Sequence, residues 1–402
     1  MSIPDPLPAL RSLDVTPVQE EGEESLQFVV HDRIHIAPQT LAVSPAGYFV
    51  LAHLDGQHSC ADIQTAFQQQ LGLHVPTEQI LELVRVLDEA LLLHGERFEQ
   101  AYERRRADFR AAPHRDNRER YPDATALRAE IEELLVAGTA APVHDVRGLI
   151  APHLDYARGA PCYADAYATL AQTPVADRYV ILGTNHSGRS AGVVATTKSF
   201  CTPLGVVAAD GDFVERLESR LGVSLTVEEL DHLWEHSIEL QVHILQVIAG
   251  DRSFQIVPLL CPNPCREADA APAESTASAL ARFADALGML VAEGNARTVV
   301  LAGADLSHIG RPFGDWAPIT PVILAELAKA ERHLLTLLET RQEEQFLRRI
   351  AVTGNPTRIC SAGCIYAALR SLPRHACRVL RYHQAVDYGS QTHVTCAAAV
   401  IW

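Results

Sequence analysis

The 402-residue sequence has no run of about 18 consecutive apolar residues, the length a helix needs to cross a bilayer. Its opening, MSIPDPLPALRSLD, has neither the basic segment nor the apolar stretch of a secretory leader. The chain therefore reads as cytoplasmic, with no membrane partner. Positive charge is in short supply: 34 Lys and Arg stand against 50 Asp and Glu, a formal net charge of −16. That balance repels a phosphate backbone, so no nucleic-acid partner is expected despite the basic run ERRRADFR at 103–110. CxxC pairs are absent. The nine cysteines are odd in number and scattered, which points to reduced thiols and not to a disulfide framework. The tightest spacings, Cys261 with Cys265 and Cys360 with Cys364, give at best weak support for a structural zinc site.

What is present suits a soluble chain with a sizeable core: 48% hydrophobic and 21% charged residues. The length favours two domains of roughly 100–200 residues each. Residues 1–25 read as a tail. In 26–96, LQFVVHDRIHIAP alternates as a strand and SPAGYFVLAHLDG reads as a short helix behind a Ser cap, closed by Gly56. Ile63, Phe67 and Leu71 then share helical spacing, as do Ile80, Leu83, Val84 and Leu87 behind Thr77 as a capping residue. This is a small α+β, winged-helix-like unit. Residues 97–114 form a charged helix and linker, and 115–402 a larger domain. Here apolar strand-like runs at 146–152, 178–183, 254–260, 298–303 and 393–402 interleave with helical segments at 162–171, 232–248, 275–293 and 319–339. Strands alternating with helices define an α/β architecture.

Three of these strands end in polar chemistry. GLIAPHLDY carries His153 and Asp155 past its strand, VILGTNHSG carries Asn185 and His186, and VVLAGADLSHIG carries Asp305 and His308. A single His or Asp after a strand is more often a turn or capping residue than a ligand. Three such events on one sheet edge would gather imidazoles and carboxylates in one cleft, where open α/β sheets bind their ligands. Imidazole-rich sites suit zinc, iron or copper over calcium and magnesium. The stretch DHLWEHSIELQVHILQVI, 231–248, is expected to be one helix with His232, Glu235, His236, Glu239 and His243 on a polar face. A solvated face accounts for His232, Glu239 and His243 about as well as a site does. No HExxH occurs.

GLIAPHLDY, VILGTNHSG, CTPLGVVAAD, EHSIELQVHIL, FQIVPLL, LAGADLSHIG and RICSAGCIYAAL occur in this order, and over most of 115–402 the chain resembles the Memo family, called AmmeMemoRadiSam system protein B in prokaryotes. The resemblance implies an α/β sandwich like that of the class III (LigB-type) extradiol dioxygenases. It implies a metal site from His153, His186 and Cys360, with Asp305, His308 and His236 around it, and redox chemistry at iron or copper, with zinc a further candidate. The chain departs from the family's usual HAGY with HLDY, from a second His with Ser187, from Gly with Ser361 and from Pro with Cys364. Residues 26–96 resemble the PqqD-like domains that accompany peptide-modifying enzymes.

The expectation is a metal-dependent oxidoreductase acting on a small molecule or peptide, with His308 as general acid or base oriented by Asp305, and with a radical SAM enzyme as a partner. An imidazole, with an ordinary pKa of about 6.5, can fill either role. The alternative is a non-catalytic adaptor that uses the same pocket and the N-terminal unit to bind a peptide or partner protein. A metal-dependent hydrolase would need a base on bound water, for which Glu235 is the candidate.

Overall fold

Strand β1 (Asp14–Val18) pairs antiparallel with β2 (Gln27–His31), which pairs with β3 (Leu41–Val43), and helices α1 (Pro45–Leu51), α2 (Cys60–Leu71), α3 (Thr77–Glu89) and α4 (Glu96–Ala111) follow. These elements make up the first of two units, Met1–Ala112. The computed structural model describes residues 4–18, 26–265 and 273–402. Ile63 and Phe67 of α2 and Ile80, Val84 and Leu87 of α3 are buried in one core, while Leu71 faces outward. Ser59 and Asp62 form a reciprocal capping box on α2.

Four details differ from the sequence reading, the first being that α1 ends at Leu51, capped by Ala52 and not closed by Gly56. The tail contributes β1, because Val15 finds Val30 opposite it. LQFVVHDRIHIAP is not one strand: the chain turns at Asp32, whose carboxylate accepts from the N–H groups of Ile36 and Ala37 at 2.7 Å each and pairs with the buried Arg11. Thr77 does not cap α3; Pro76 is the capping position, and Thr77 Oγ1 accepts instead from Gln64 Nε2 at 3.2 Å.

The second unit, Pro113–Trp402, is built on one large sheet. Its strands are β4 (His114–Asp116), β5 (Gly148–Ala151), β6 (Arg178–Thr184), β7 (Val194–Ala195), β8 (Ser199–Thr202), β9 (Gly205–Ala209), β10 (Gln255–Cys261), β11 (Thr298–Gly303), β12 (Asp305–Gly310), β13 (Cys377–Asp387) and β14 (Thr392–Ile401). They run in the order β12-β14-β5-β11-β6-β10-β9-β8-β4, with β13 on β14 and β7 on β10. The centre, β5, β11, β6 and β10, is parallel, and β14 joins β5 antiparallel.

The helices are α5 (Ala124–Ala137), α6 (Tyr156–Ala171), α7 (Gly211–Leu221), α8 (Glu239–Ala249), α9 (Ala273–Glu293), α10 (Pro321–Glu339), α11 (Glu343–Val352) and α12 (Ala362–Ser371). Side chains alternate across a strand, so Val299 and Leu301 share a core with α5, α6 and α8 while Val300 and Ala302 share one with α7, α9 and α12. Burial on both faces explains why these strands read as unbroken apolar runs. The result is the expected α/β sandwich. The parallel strands bring the residues after β5, β6 and β11 to one edge.

Residues 231–248 are not a single helix. A short 3-10 turn ends at His232, irregular backbone follows, and α8 starts only at Glu239. Two observations explain the break. The Glu235 carboxylate accepts from the N–H of His236 and of Ser237, both at 2.9 Å, and so competes with helical bonding. The segment also presses onto the sheet, where a Cβ on Gly303 would lie 2.5 Å from the Ser237 carbonyl and one on Gly183 2.6 Å from Ile238. ADLSHIG is likewise no turn, since β12 leaves β11 to pair with β14.

Candidate metal centre

His153 follows β5, and its Nδ1 lies 3.0 Å from the Gly303 carbonyl oxygen. A carbonyl only accepts, so Nδ1 carries a proton, and it is Nε2 that holds the lone pair once the ring is neutral. The His153 N–H donates to Asp305 Oδ1 at 3.1 Å, and the Asp305 N–H donates to Ser361 Oγ at 3.1 Å. His186 follows β6, with Nδ1 3.0 and 3.1 Å from the two Glu235 oxygens and its N–H donating to the same carboxylate. Cys360 lies just before α12; its Sγ is 3.6 Å from His153 Nε2 and 3.2 Å from Ser361 Oγ.

The potential ligand atoms of His153, His186 and Cys360 all lie within 4.8 Å of one another. His186, Glu235 and His236 form a second such group. Glu235, however, already accepts from three backbone N–H groups and the His186 ring, which fills a carboxylate's capacity. It is an orienting partner. Neither a ligand role nor the base of a hydrolase is left to it.

Charge in the site is arranged to hold a thiolate. Burial alone would raise the Cys360 thiol, but His153 and His308, with hydrogen bonds from His153 and His186, hold it well below the usual thiol range. Burial would depress His153, yet the Asp305 carboxylate and Cys360 push it up to about 9. His186 is likewise raised, against its burial, by Glu235 and Cys360. Glu235 is held well below the carboxylate range because His186 and His236 outweigh its desolvation. His236 goes the other way: crowding by the protein around its half-exposed ring lowers it, so its imidazole is neutral at pH 7. Its ring stacks on His186 at 5.2 Å and meets His153 edge-on at 5.5 Å. With 44% of its side chain exposed, it marks the face where the site opens to solvent.

The other expected residues divide. His308 lies on β12 with Nδ1 donating to the Leu306 carbonyl at 3.1 Å and its ring against Phe313. Asp305 serves His153, so the expected Asp305–His308 pairing is corrected. Asp155 caps α6 through the Arg158 N–H and pairs with Arg158 in solvent, away from the centre. A solvated face does not describe His232, Glu239 or His243, all of which are buried. His232 Nε2 meets the Val194 carbonyl, and burial brings its pKa down to about 3. His243 Nδ1 lies 3.2 Å from the Tyr156 hydroxyl.

Sequence reasoning missed Arg115. It is fully buried on β4, pairs with Glu239 at 2.5 Å, and donates to the carbonyls of His232 at 3.0 Å and Glu235 at 2.7 Å. Arg120 holds the Trp234 carbonyl at 2.7 Å. Together they clamp the segment that delivers Glu235 and His236. Neither lies in a periodic pattern, and nothing in HRDNRER signals it. A testable consequence concerns the orienting carboxylate. Glu235→Gln is expected to weaken metal retention about 10–100-fold, the usual effect of losing an orienting partner, with the fold kept; competition against a chelator of known affinity measures it, and unchanged retention would remove Glu235 from the centre.

Fold and site together define an α/β protein with a His, His, Cys candidate metal centre at the carboxyl edge of its sheet. The family model described as "Memo-like protein" matches residues 119–401, and the chain belongs to that family. A MEMO1 family protein of Aquifex aeolicus is 25% identical over 356 residues, covering 88% of this chain and 87% of that protein. The MEMO1 family protein TTHA0924 of Thermus thermophilus is 27% identical over 323 residues, covering 80% and 92%. Both alignments are longer than the span from residue 119 to the C-terminus, so both take in part of the first unit. The crystal structure of uncharacterized protein JW3007 from Escherichia coli K12 matches with a TM-score of 0.39 at 16% identity, over 64% of this chain and all of that one.

Proposed function

We propose that the chain is a metal-dependent oxidoreductase whose metal, iron or copper ahead of zinc, is held by His153, His186 and Cys360. The observation that carries the proposal is the orientation of the His153 ring, whose Nδ1–H is committed to the Gly303 carbonyl while its Nε2 faces the Cys360 sulfur at 3.6 Å. Two imidazoles and a thiolate form a borderline-soft donor set that fits these metals and not magnesium or calcium. Three protein donors also leave room for an exogenous ligand. When bound, such a metal supplies one-electron chemistry and Lewis acidity.

The chain's own residues account for the rest. Gly303 and Glu235 orient the two imidazoles, and Asp305 positions the His153 backbone and the turn before α12. His236, neutral and at the open face, is placed to take a proton from a small-molecule or peptide substrate. His308 is a second proton carrier, its Nδ1–H committed to Leu306 and its Nε2 left to accept. The first unit is assigned the recruiting role, for a peptide or a radical SAM partner; the two long alignments that reach into it support its being part of the working protein.

The test is dioxygen consumption by protein loaded in turn with iron, copper and zinc in the presence of small organic reductants. Uptake with iron or copper, absent with zinc and absent in Cys360→Ser, supports the proposal. No uptake with any metal overturns the oxidoreductase reading and leaves the adaptor.

Proton release is a second expectation. His153, raised to about 9, holds its extra proton at pH 7 in the metal-free protein, and a ligand imidazole must shed it. Metal affinity should therefore rise as pH climbs from 6 toward about 9, with protons released on binding. Calorimetry in buffers of different ionisation enthalpy reads the count; affinity flat over that range would contradict it.

A further inference from the structure

The amino edge of the same sheet, opposite the metal centre, carries a groove of about 810 Å³ between the ends of α9 and α12 and the starts of β5 and β11. Its volume is that of a small-molecule site. In a chain of net charge −16, its lining includes Arg147, Arg297, Arg370, Arg374 and His375 against one acid, Asp285. Arg370 and Asp285 satisfy each other, with two bonds of 2.8 Å.

The remaining cations are only partly satisfied. Arg147 pairs with Asp145 at 3.0 Å, but that carboxylate is 59% exposed and shared with Arg297, which reaches it only at 3.5 Å and the Val146 carbonyl only at 3.4 Å. The Nε atoms of both arginines and Nδ1 of His375 are buried without a hydrogen-bond partner among the described residues. Arg374 is exposed and, among the described residues, has no ion pair or hydrogen bond. Ordinary helix capping does not account for this, because the C-terminal carbonyls of α12 and its neighbours at Leu369, Leu372 and His375 are already taken by Arg341, from behind the groove. Burial, and after it the charge of Arg147, depress His375, which fits a locally positive field. Donors without a protein partner beside the groove are open to water or to an anion.

We infer that this groove is an anion site that takes a phosphate monoester, its phosphate held by Arg147, Arg297 and Arg374 and its apolar body lying on Met289 and Leu372. Guanidinium forks match phosphate oxygens two at a time, and the three arginines stand against Asp145 and Asp177, which accepts from the Arg297 N–H at 2.7 Å, leaving a surplus of one positive charge for the phosphate. The small residues Gly288, Ala292, Gly294 and Ala296 along the lining leave space for that body.

The experiment titrates the full chain with phenyl phosphate and with inorganic phosphate by calorimetry, beside Arg374→Gln, Arg297→Gln with Arg374→Gln, and His153→Ala. Phenyl phosphate is expected to bind more tightly than inorganic phosphate. Arg374→Gln, which removes no internal contact, should weaken phenyl phosphate at least threefold, and the double variant about tenfold or more. His153→Ala should bind it as wild type does, which separates this site from the metal centre. No heat from phenyl phosphate up to about 10 mM, the weak limit for a specific site, overturns the inference. So does wild-type binding by the double variant, or loss of binding in His153→Ala.

Discussion

Arg115→Met should destabilise the second unit by about 3–5 kcal/mol, the usual effect of removing one partner of a buried ion pair. Glu239 is fully buried and, among the described residues, neither of its oxygens has a hydrogen bond beyond the charge contacts with Arg115 and, at 3.5 Å, Arg120. Without Arg115 its buried carboxylate keeps only the 3.5 Å contact with Arg120. Replacing both members, Arg115→Met with Glu239→Leu, should recover most of the loss, since an apolar pair of similar volume avoids the desolvation of both charges. Urea unfolding of the two single variants and the double variant closes the cycle. A loss under about 1 kcal/mol in Arg115→Met would mean that the pair is solvated in a way its burial does not suggest. The double variant should still hold metal weakly, because the His232 and Glu235 carbonyls lose their clamp whichever residue replaces Arg115.

Cys360→Ser should cut metal affinity by more than about 100-fold, beyond the range seen on losing an orienting partner. The change swaps a thiolate for a hydroxyl at nearly the same size, so the fold should be kept. The cobalt-loaded wild type should show thiolate-to-metal absorption that the variant lacks, at matched thermal stability. Equal absorption in both proteins would take the sulfur out of the centre and leave the two imidazoles without their soft partner.

Much of this was legible in the sequence because it is carried by local pattern. Val299 and Leu301 on one face and Val300 and Ala302 on the other make a doubly buried strand, and that apolar run is visible without a structure. His153 and His186 follow such runs immediately, so parallel strands were bound to bring them together. Cys360 has no strand before it, and only the family resemblance pointed to it. Where sequence reading failed, a long-range contact overrode the local pattern. The spacing of His232, Glu235, His236, Glu239 and His243 is good helical spacing, yet Glu235 turns its carboxylate onto its own loop and Gly303 lets that loop come down onto the sheet. Arg115 was invisible because its partners lie more than a hundred residues away. Asp305 was read as the partner of His308, since sequence proximity suggested the neighbour, whereas the fold sets it against His153.

The measurement that bears most directly on the centre is the metal content of the full chain, prepared without a metal-binding tag and offered iron, copper and zinc separately, beside the variant His153→Ala, His186→Ala, Cys360→Ala. About one iron or copper per chain in the wild type and background levels in a variant with an unchanged circular dichroism spectrum is the result expected for a three-ligand site. A folded variant that keeps stoichiometric metal, or a wild type that takes up none of the three, would contradict it.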